Sequence, residues 1–364
     1  MQKEIIVLGD IEIGAGSITD DFISDKALSE LILSLKDRKH PVDLVLNGDT
    51  FDFLKAPYKL PSTYTRYVTA NVAVAKLHLV FHAHKRVFDA LKAFCSAGKE
   101  VYFIMGNHDL EIAFPEVRKE INKRIGQVHF PGLTYQKHGV HVEHGHQYDF
   151  ANVINPKNLF VQHKGEKILN STFSAFTVIS SLIPLKEEHP FLERIKPIPL
   201  LLSLYRPVGK KVNRTVAGYF LKSVFYYPLR YYDDPTYIFP INFIQEIFSR
   251  VRAVNWEMED IVSVFKKRRL RNKIFVLGHI HDKYVEATKS RVILRPGSWR
   301  DEYYLDEGYL FPRRKRYVQI MVQDDKLDWN LVSYPIKRSS LKFYDVVKDE
   351  KKFIELAKKE EGYE

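Results

Sequence analysis

Short apolar runs recur along the chain, and several stop abruptly at glycine, carboxylate, amide or imidazole side chains. The strings are Gly48-Asp49, Gly106-Asn107-His108-Asp109, His144-Gly145-His146 and Gly278-His279-Ile280-His281. Each follows a strand-like run, so the polar groups fall at carboxyl ends of strands, where open α/β sheets keep their crevices. Oxygen and imidazole donors delivered by separate parts of a chain suit two divalent cations held side by side, a geometry used for displacement at phosphorus.

The spacing predicts strands at 4–8, 43–47, 100–105, 128–130, 140–143 and 273–277, separated for the most part by helical patterns, hence α/β layers. Leu28, Leu31, Ile32 and Leu35 place a helix over 25–39, and residues 63–97 carry a longer amphipathic pattern that stops before Gly98. Residues 291–294, 317–322 and 327–332 read as strands closing a second sheet, with a turn at 323–326. Between 151 and 267 the chain becomes aromatic, basic and proline-broken, which predicts an inserted helical cap. The core is then formed by 1–150 and 268–335, and 336–364 is a charged tail with a solvated helix.

Composition narrows the chemistry. Cys95 is the only cysteine among 364 residues, so neither a disulfide framework nor a thiolate zinc cluster can form within the chain. Any metal must use oxygen and nitrogen ligands. A net charge of +11 predicts attraction to a polyanion, with lipid phosphate surfaces, nucleotides and nucleic acids all eligible, or a surplus of solvated lysines. The N-terminus shows no signal-peptide pattern and the apolar stretches fall short of the roughly 20 residues needed to span a bilayer, so a cytoplasmic protein is expected.

Asp10 and Glu12 follow the first strand and, two residues apart on an extended segment, are expected to share one cation. Asp49 is the expected bridge between two cations, and Asp52 an acceptor for a ligand imidazole. Asn107 is the expected amide ligand, with His108 as proton donor and Asp109 orienting its ring. His144, His279 and His281 complete the expected ligands.

The order of these strings resembles the calcineurin-like metallophosphoesterase superfamily, whose motifs run Asp-x-His, Gly-Asp, Gly-Asn-His-Asp/Glu, a His-Gly string and Gly-His-x-His. Four of the five match. The resemblance implies a four-layer α/β/β/α sandwich with one metal on Asp10, Asp49 and His281 and another on Asp49, Asn107, His144 and His279. The departure is Glu12, which stands where the family has histidine. Either it ligates, favouring manganese or magnesium over zinc, or it weakens the first site. Two divalent ions, manganese foremost, are expected, with magnesium, iron or zinc as alternatives.

The cap mixes aromatic side chains with Arg194, Arg206, Lys210 and Arg214, a pairing that suits an acyl chain beside phosphates and peripheral contact with an anionic membrane. Within the superfamily the helical insertion looks most like that of UDP-2,3-diacylglucosamine hydrolases, which implies pyrophosphate cleavage in a lipid- or nucleotide-linked substrate. A DNA or RNA phosphodiesterase and a non-catalytic scaffold with an impaired metal site are the alternative readings.

Overall fold

The computed structural model describes residues 2–60, 62–237, 261–266, 270–324 and 326–362. Its strands, in chain order, begin with β1 (Gln2–Leu8), β2 (Val42–Asn47), β3 (Glu100–Ile104), β4 (His129–Gly132), β5 (Thr134–Lys137) and β6 (Val140–Glu143). A hairpin of β7 (Phe160–His163) and β8 (Glu166–Leu169) and the short β9 (Ile195–Lys196) come next. The C-terminal set is β10 (Ile274–Val276), β11 (Tyr284–Ala287), β12 (Val292–Arg295), β13 (Tyr303–Asp306), β14 (Tyr309–Pro312), β15 (Lys315–Gln323), β16 (Lys326–Tyr334) and β17 (Leu341–Lys342).

Two sheets form the core, one in the order β16-β15-β1-β2-β3-β4 and the other β11-β12-β10-β6-β5. Alternation along the strands assigns their faces. Ile5, Val7, Val45 and Ile104 of the first sheet pack against Val140, Val142, Ile274, Val276 and Leu294 of the second. The opposite side chains, Ile6, Leu8, Leu44, Leu46, Val101 and Phe103, meet the helical layer. That layer is built from α1 (Asp25–Lys36), α2 (Ala70–Ala83), α3 (Lys85–Ser96) and α4 (Pro115–Ile125). Each buries a stripe at helical spacing, as with Val117, Ile121 and Ile125 of α4, which starts at Pro115 and stops at Gly126 with φ of 109°. On the outer face of the second sheet, Val262 and Phe265 of the helix Ile261–Lys266 cover Phe275, Leu277 and Ile293. Helix, sheet, sheet and helix thus make the four expected layers.

Four expectations change. The strands at 317–322 and 327–332 do not close the second sheet; β15 pairs antiparallel with β1, Ile5 opposite Ile320, and extends the first. Its alternating Val318, Ile320 and Val322 enter the inter-sheet core from that side. The long amphipathic pattern divides into α2 and α3 at His84, whose ring is held by Asp20 and Asp25 at 2.9 Å each.

The segment after 150 is also not purely helical. It contributes β9 to a third sheet, β17-β14-β13-β9, and shares a core with the chain's end in which Leu185, Phe191, Leu201, Tyr303, Leu310, Phe343 and Ile354 are buried. The terminal helix Glu350–Glu361 is therefore packed on one face rather than solvated, with Ile354, Ala357 and Glu361 buried. The stretch 238–260 and residue 267 of the expected cap, and 268–269 of the expected core, lie outside the described residues.

Candidate metal and catalytic site

Every ligand string lies just beyond a strand of the two core sheets. Asp10 follows β1, Asp49 β2, Asn107 and His108 β3, His144 β6, and His279 and His281 β10. Four of these positions are strained: Asp10, Glu12, Asp49 and His279 have φ of 49°, 53°, 45° and 70°. Non-glycine residues seldom adopt this left-handed conformation, and such strain collects where the surroundings fix side chains for chemistry. Glycine supplies clearance nearby, since a Cβ on Gly106 would lie 2.1 Å from Asp49 Oδ1.

One cluster is compact. His144 Nε2 lies 3.1 Å from Asp49 Oδ2 and 3.1 Å from Asn107 Oδ1, and a ring nitrogen of His279 joins the group, with the Asp49, His144 and His279 donor atoms all within 4.8 Å of one another. His144 Nδ1 faces the Asn47 carbonyl at 3.1 Å, which leaves Nε2 as the inward nitrogen. Burial opposes charge on His144, but Asp49 and Asp10 outweigh it and lift the ring to about 9. Burial likewise opposes ionisation of Asp49, and the neighbouring His144 and His108 hold its carboxyl well below the usual range. Asp10, just behind, is pushed up by burial, and its Oδ1 accepts the His279 amide at 2.9 Å.

His108 sits beside this cluster, but Asp109 does not orient it. Asp109 accepts the amides of Gly106 at 2.6 Å and Thr50 at 2.8 Å, tying the two loops together. The ring is held instead by Asp52, with Nδ1 to Oδ1 at 2.9 Å. Asp52, expected beside a metal-ligating imidazole, thus serves the ring of the expected proton donor. Burial works against the imidazolium of His108, yet Glu12, Asp49 and Asp52 outweigh it and raise the ring to about 10.

Glu12 lies among cations. Its Oε1 faces Arg300 Nη1 at 3.2 Å and His281 Nε2 at 3.3 Å, and its Oε2 faces Lys55 Nζ at 3.2 Å. His281 is held on its other side by Glu302, Nδ1 to Oε1 at 2.6 Å. His146 is buried beside the cluster, its ring centroid 5.4 Å from that of His144, and Gly145 between them is in a left-handed conformation.

The four expected substrate contacts separate. Arg194 is fully buried and committed to Asp301 at 2.5 Å and Asp21 at 3.1 Å, so its expected substrate contact is corrected to a structural one. Arg206, Lys210 and Arg214 are exposed on the helix Arg206–Phe225. Sequence reasoning missed Asp149 and Asn152. Asp149 Oδ2 faces His279 Nε2 at 3.0 Å, and Asn152 Oδ1 accepts the Asn107 side-chain amide at 3.2 Å, so the start of the insertion orients two ligands. Lys55 and Arg300 carried no signal beyond being isolated basic residues.

A calcineurin-like phosphoesterase family model matches residues 3–283. The chain belongs to this family. It is accordingly a phosphoester hydrolase of a dinuclear metal-dependent family, and its described residues present candidate ligand groups. No curated protein matches the sequence significantly. Among solved structures, a predicted phosphoesterase of Streptococcus pneumoniae aligns at 10% identity and TM-score 0.30, covering 94% of this chain and 98% of that one. Vps29 of Entamoeba histolytica in complex with zinc aligns at 10% identity and TM-score 0.31, covering 91% and 99%. A putative 5'-nucleotidase of Staphylococcus aureus aligns at 13% and 0.30, covering 94% and 54%. Overlaps this loose carry no argument about substrate.

The two metal positions fit unequally. At Asp49, Asn107, His144 and His279, a carboxylate, an amide oxygen and imidazoles converge on one point, a donor set suited to a divalent ion. At Glu12 the carboxylate already faces two side-chain cations, and of the Glu12, Asp52 and His108 group both carboxylates are engaged by the Lys55 ammonium, at 3.2 and 2.9 Å. No described helix is long and apolar enough to cross a membrane.

Proposed function

We propose that this phosphoesterase cleaves a phosphoester or pyrophosphate bond by attack of water, with a divalent metal, manganese foremost, on Asp49, Asn107, His144 and His279 and with His108 as proton donor. The observation that carries the reading is the convergence of Asp49 Oδ2 and Asn107 Oδ1 on His144 Nε2 at 3.1 Å each, with His108 next to Asn107 in the chain. A divalent ion at such a position supplies charge to phosphoryl oxygens and acidifies water toward neutrality. Asp149 and Asn152 hold the His279 ring and the Asn107 amide in place. His108, kept protonated near neutral pH by the carboxylates around it, donates to the leaving oxygen, a contribution of about 10²- to 10⁴-fold. No side-chain nucleophile is needed.

For the substrate, we favour a lipid- or nucleotide-linked phosphate such as a UDP-diacylglucosamine-like molecule. Phe220, Leu221 and Phe225 are exposed on the same helix as Arg214 and Lys222, which sets apolar surface beside cations. Purified protein screened with Mn²⁺ against bis(p-nitrophenyl) phosphate, UDP-linked lipids, nucleotides and oligonucleotides tests both parts. Turnover that vanishes in Asp49→Asn is expected. Hydrolysis confined to oligonucleotides would overturn the substrate, and a folded, metal-loaded chain inert on all of them would overturn the catalysis.

A further inference from the structure

The chemistry just proposed leaves open how many ions take part, and the inference here rests on that reading. Glu12 stands where the resembled family has a histidine ligand to the first metal, and its surroundings are rich in cations. Arg300 Nη2 is 2.5 Å from Asp21 Oδ2 while Nη1 faces Glu12, so the guanidinium bridges two buried carboxylates. The ammonium of Lys55 lies 3.2, 3.4, 2.9 and 3.3 Å from carboxylate oxygens of Glu12, Asp21, Asp52 and Glu193. Lys55, Arg300, Glu12 and Asp21 are all buried.

The loop that presents Arg300 is fastened to the backbone of the first ligand. Trp299 donates its amide to the Asp10 carbonyl at 3.0 Å, and Ser298 donates its hydroxyl to the same oxygen at 3.1 Å. Arg300 donates its own amide to Ser298 Oγ at 2.9 Å. The guanidinium is therefore held next to position 12 by chain geometry as well as by charge. Taking either cation away would leave the buried carboxylates with less counter-charge, and adding a dication beside both would set three positive centres around one carboxylate. An unpartnered acidic pocket would attract an ion; this one already contains its counter-charges.

We propose that this chain holds a single divalent cation, on Asp49, Asn107, His144 and His279, and that Arg300 and Lys55, clamped on Glu12, supply the positive charge that a second ion gives to relatives with histidine at that place. His281, bonded to Glu12 and Glu302, is then a positioning residue for that clamp.

Equilibrium dialysis of the full chain against Mn²⁺, followed by metal analysis and electron paramagnetic resonance, decides it. The expected result is one manganese per chain with the spectrum of an isolated ion. Asn107→Ala is expected to lose that ion and Asp10→Asn to keep it. Two ions of comparable affinity with an exchange-coupled spectrum in the wild-type chain would overturn the inference, and that measurement needs no variant to fold. The double variant Glu12→His/Arg300→Met is expected to gain a second ion; a folded double variant that still takes one would overturn the role given to Arg300. Absence of hydrolysis with one bound ion would sink the catalytic reading and leave the stoichiometry intact.

Discussion

Nδ1 of His108 stands 2.9 Å from Oδ1 of Asp52, a residue 56 positions earlier in the chain. This contact fixes the ring and, with Glu12 and Asp49, keeps it charged at neutral pH. Removing the carboxylate in Asp52→Asn lowers the ring's pKa. A general acid works only while protonated, so the alkaline limb of kcat moves to lower pH in the variant. A pH–rate profile checks this, and a limb that stays in place would show that His108 is not the acid.

Replacement of the ring itself is more severe. His108→Ala is expected to lower turnover by about 10²- to 10⁴-fold while metal content stays at the wild-type level. Metal analysis run beside the kinetics separates the two roles, because a ligand would take its ion with it.

His84 links the α2–α3 junction to the loop after the first ligands. Burial disfavours its charge, but Asp20 and Asp25 outweigh burial and raise it to about 9. The folded value lies above the unfolded one, so this stabilisation is complete below about pH 6.5 and disappears as pH rises through about 9, a difference of about 3 kcal/mol. Denaturant unfolding across that range should show the slope in the wild-type chain and lose it in His84→Gln.

Gly106→Ala tests the clearance around Asp49. The added methyl would sit 2.1 Å from Oδ1 and 2.4 Å from the Asp49 amide nitrogen, so the loop must shift. Overpacking of this kind costs about 1–3 kcal/mol, and Mn²⁺ affinity is expected to fall with stability. Calorimetric titration with Mn²⁺ that matched the wild-type chain would show that the loop yields without moving the carboxylate.

Ile354→Ala addresses the packed terminal helix. The side chain is 1% exposed in the core shared with Phe191 and Tyr303, and its truncation is expected to cost about 2–5 kcal/mol in denaturant unfolding. A solvated helix would lose almost nothing.

Sequence made the sandwich and the compact cluster readable for one reason: each ligand follows directly on an apolar strand, so local order and spatial order coincide at Asp49, Asn107, His144 and His279. Partners that arrive from elsewhere left no such trace. Asp149 and Asn152 reach the ligands from the start of the insertion, and Arg300 swings in from the loop after β12, each a lone polar residue with no diagnostic spacing. Arg194 looked like a surface cation among aromatics because nothing local announces Asp21 and Asp301. The placement of β15 depends on Ile320 finding Ile5, a pairing across more than three hundred residues that alternation alone cannot assign.

The third sheet has a practical corollary for anyone recombining this chain. Because β9 is stitched to β13, and β13 through β14 to β17, the insertion and the C-terminus behave as a single graft. Transplanting the insertion from a relative without its own closing segment would strip Phe343 and Ile354 of their neighbours, so chimeras should exchange both pieces or neither.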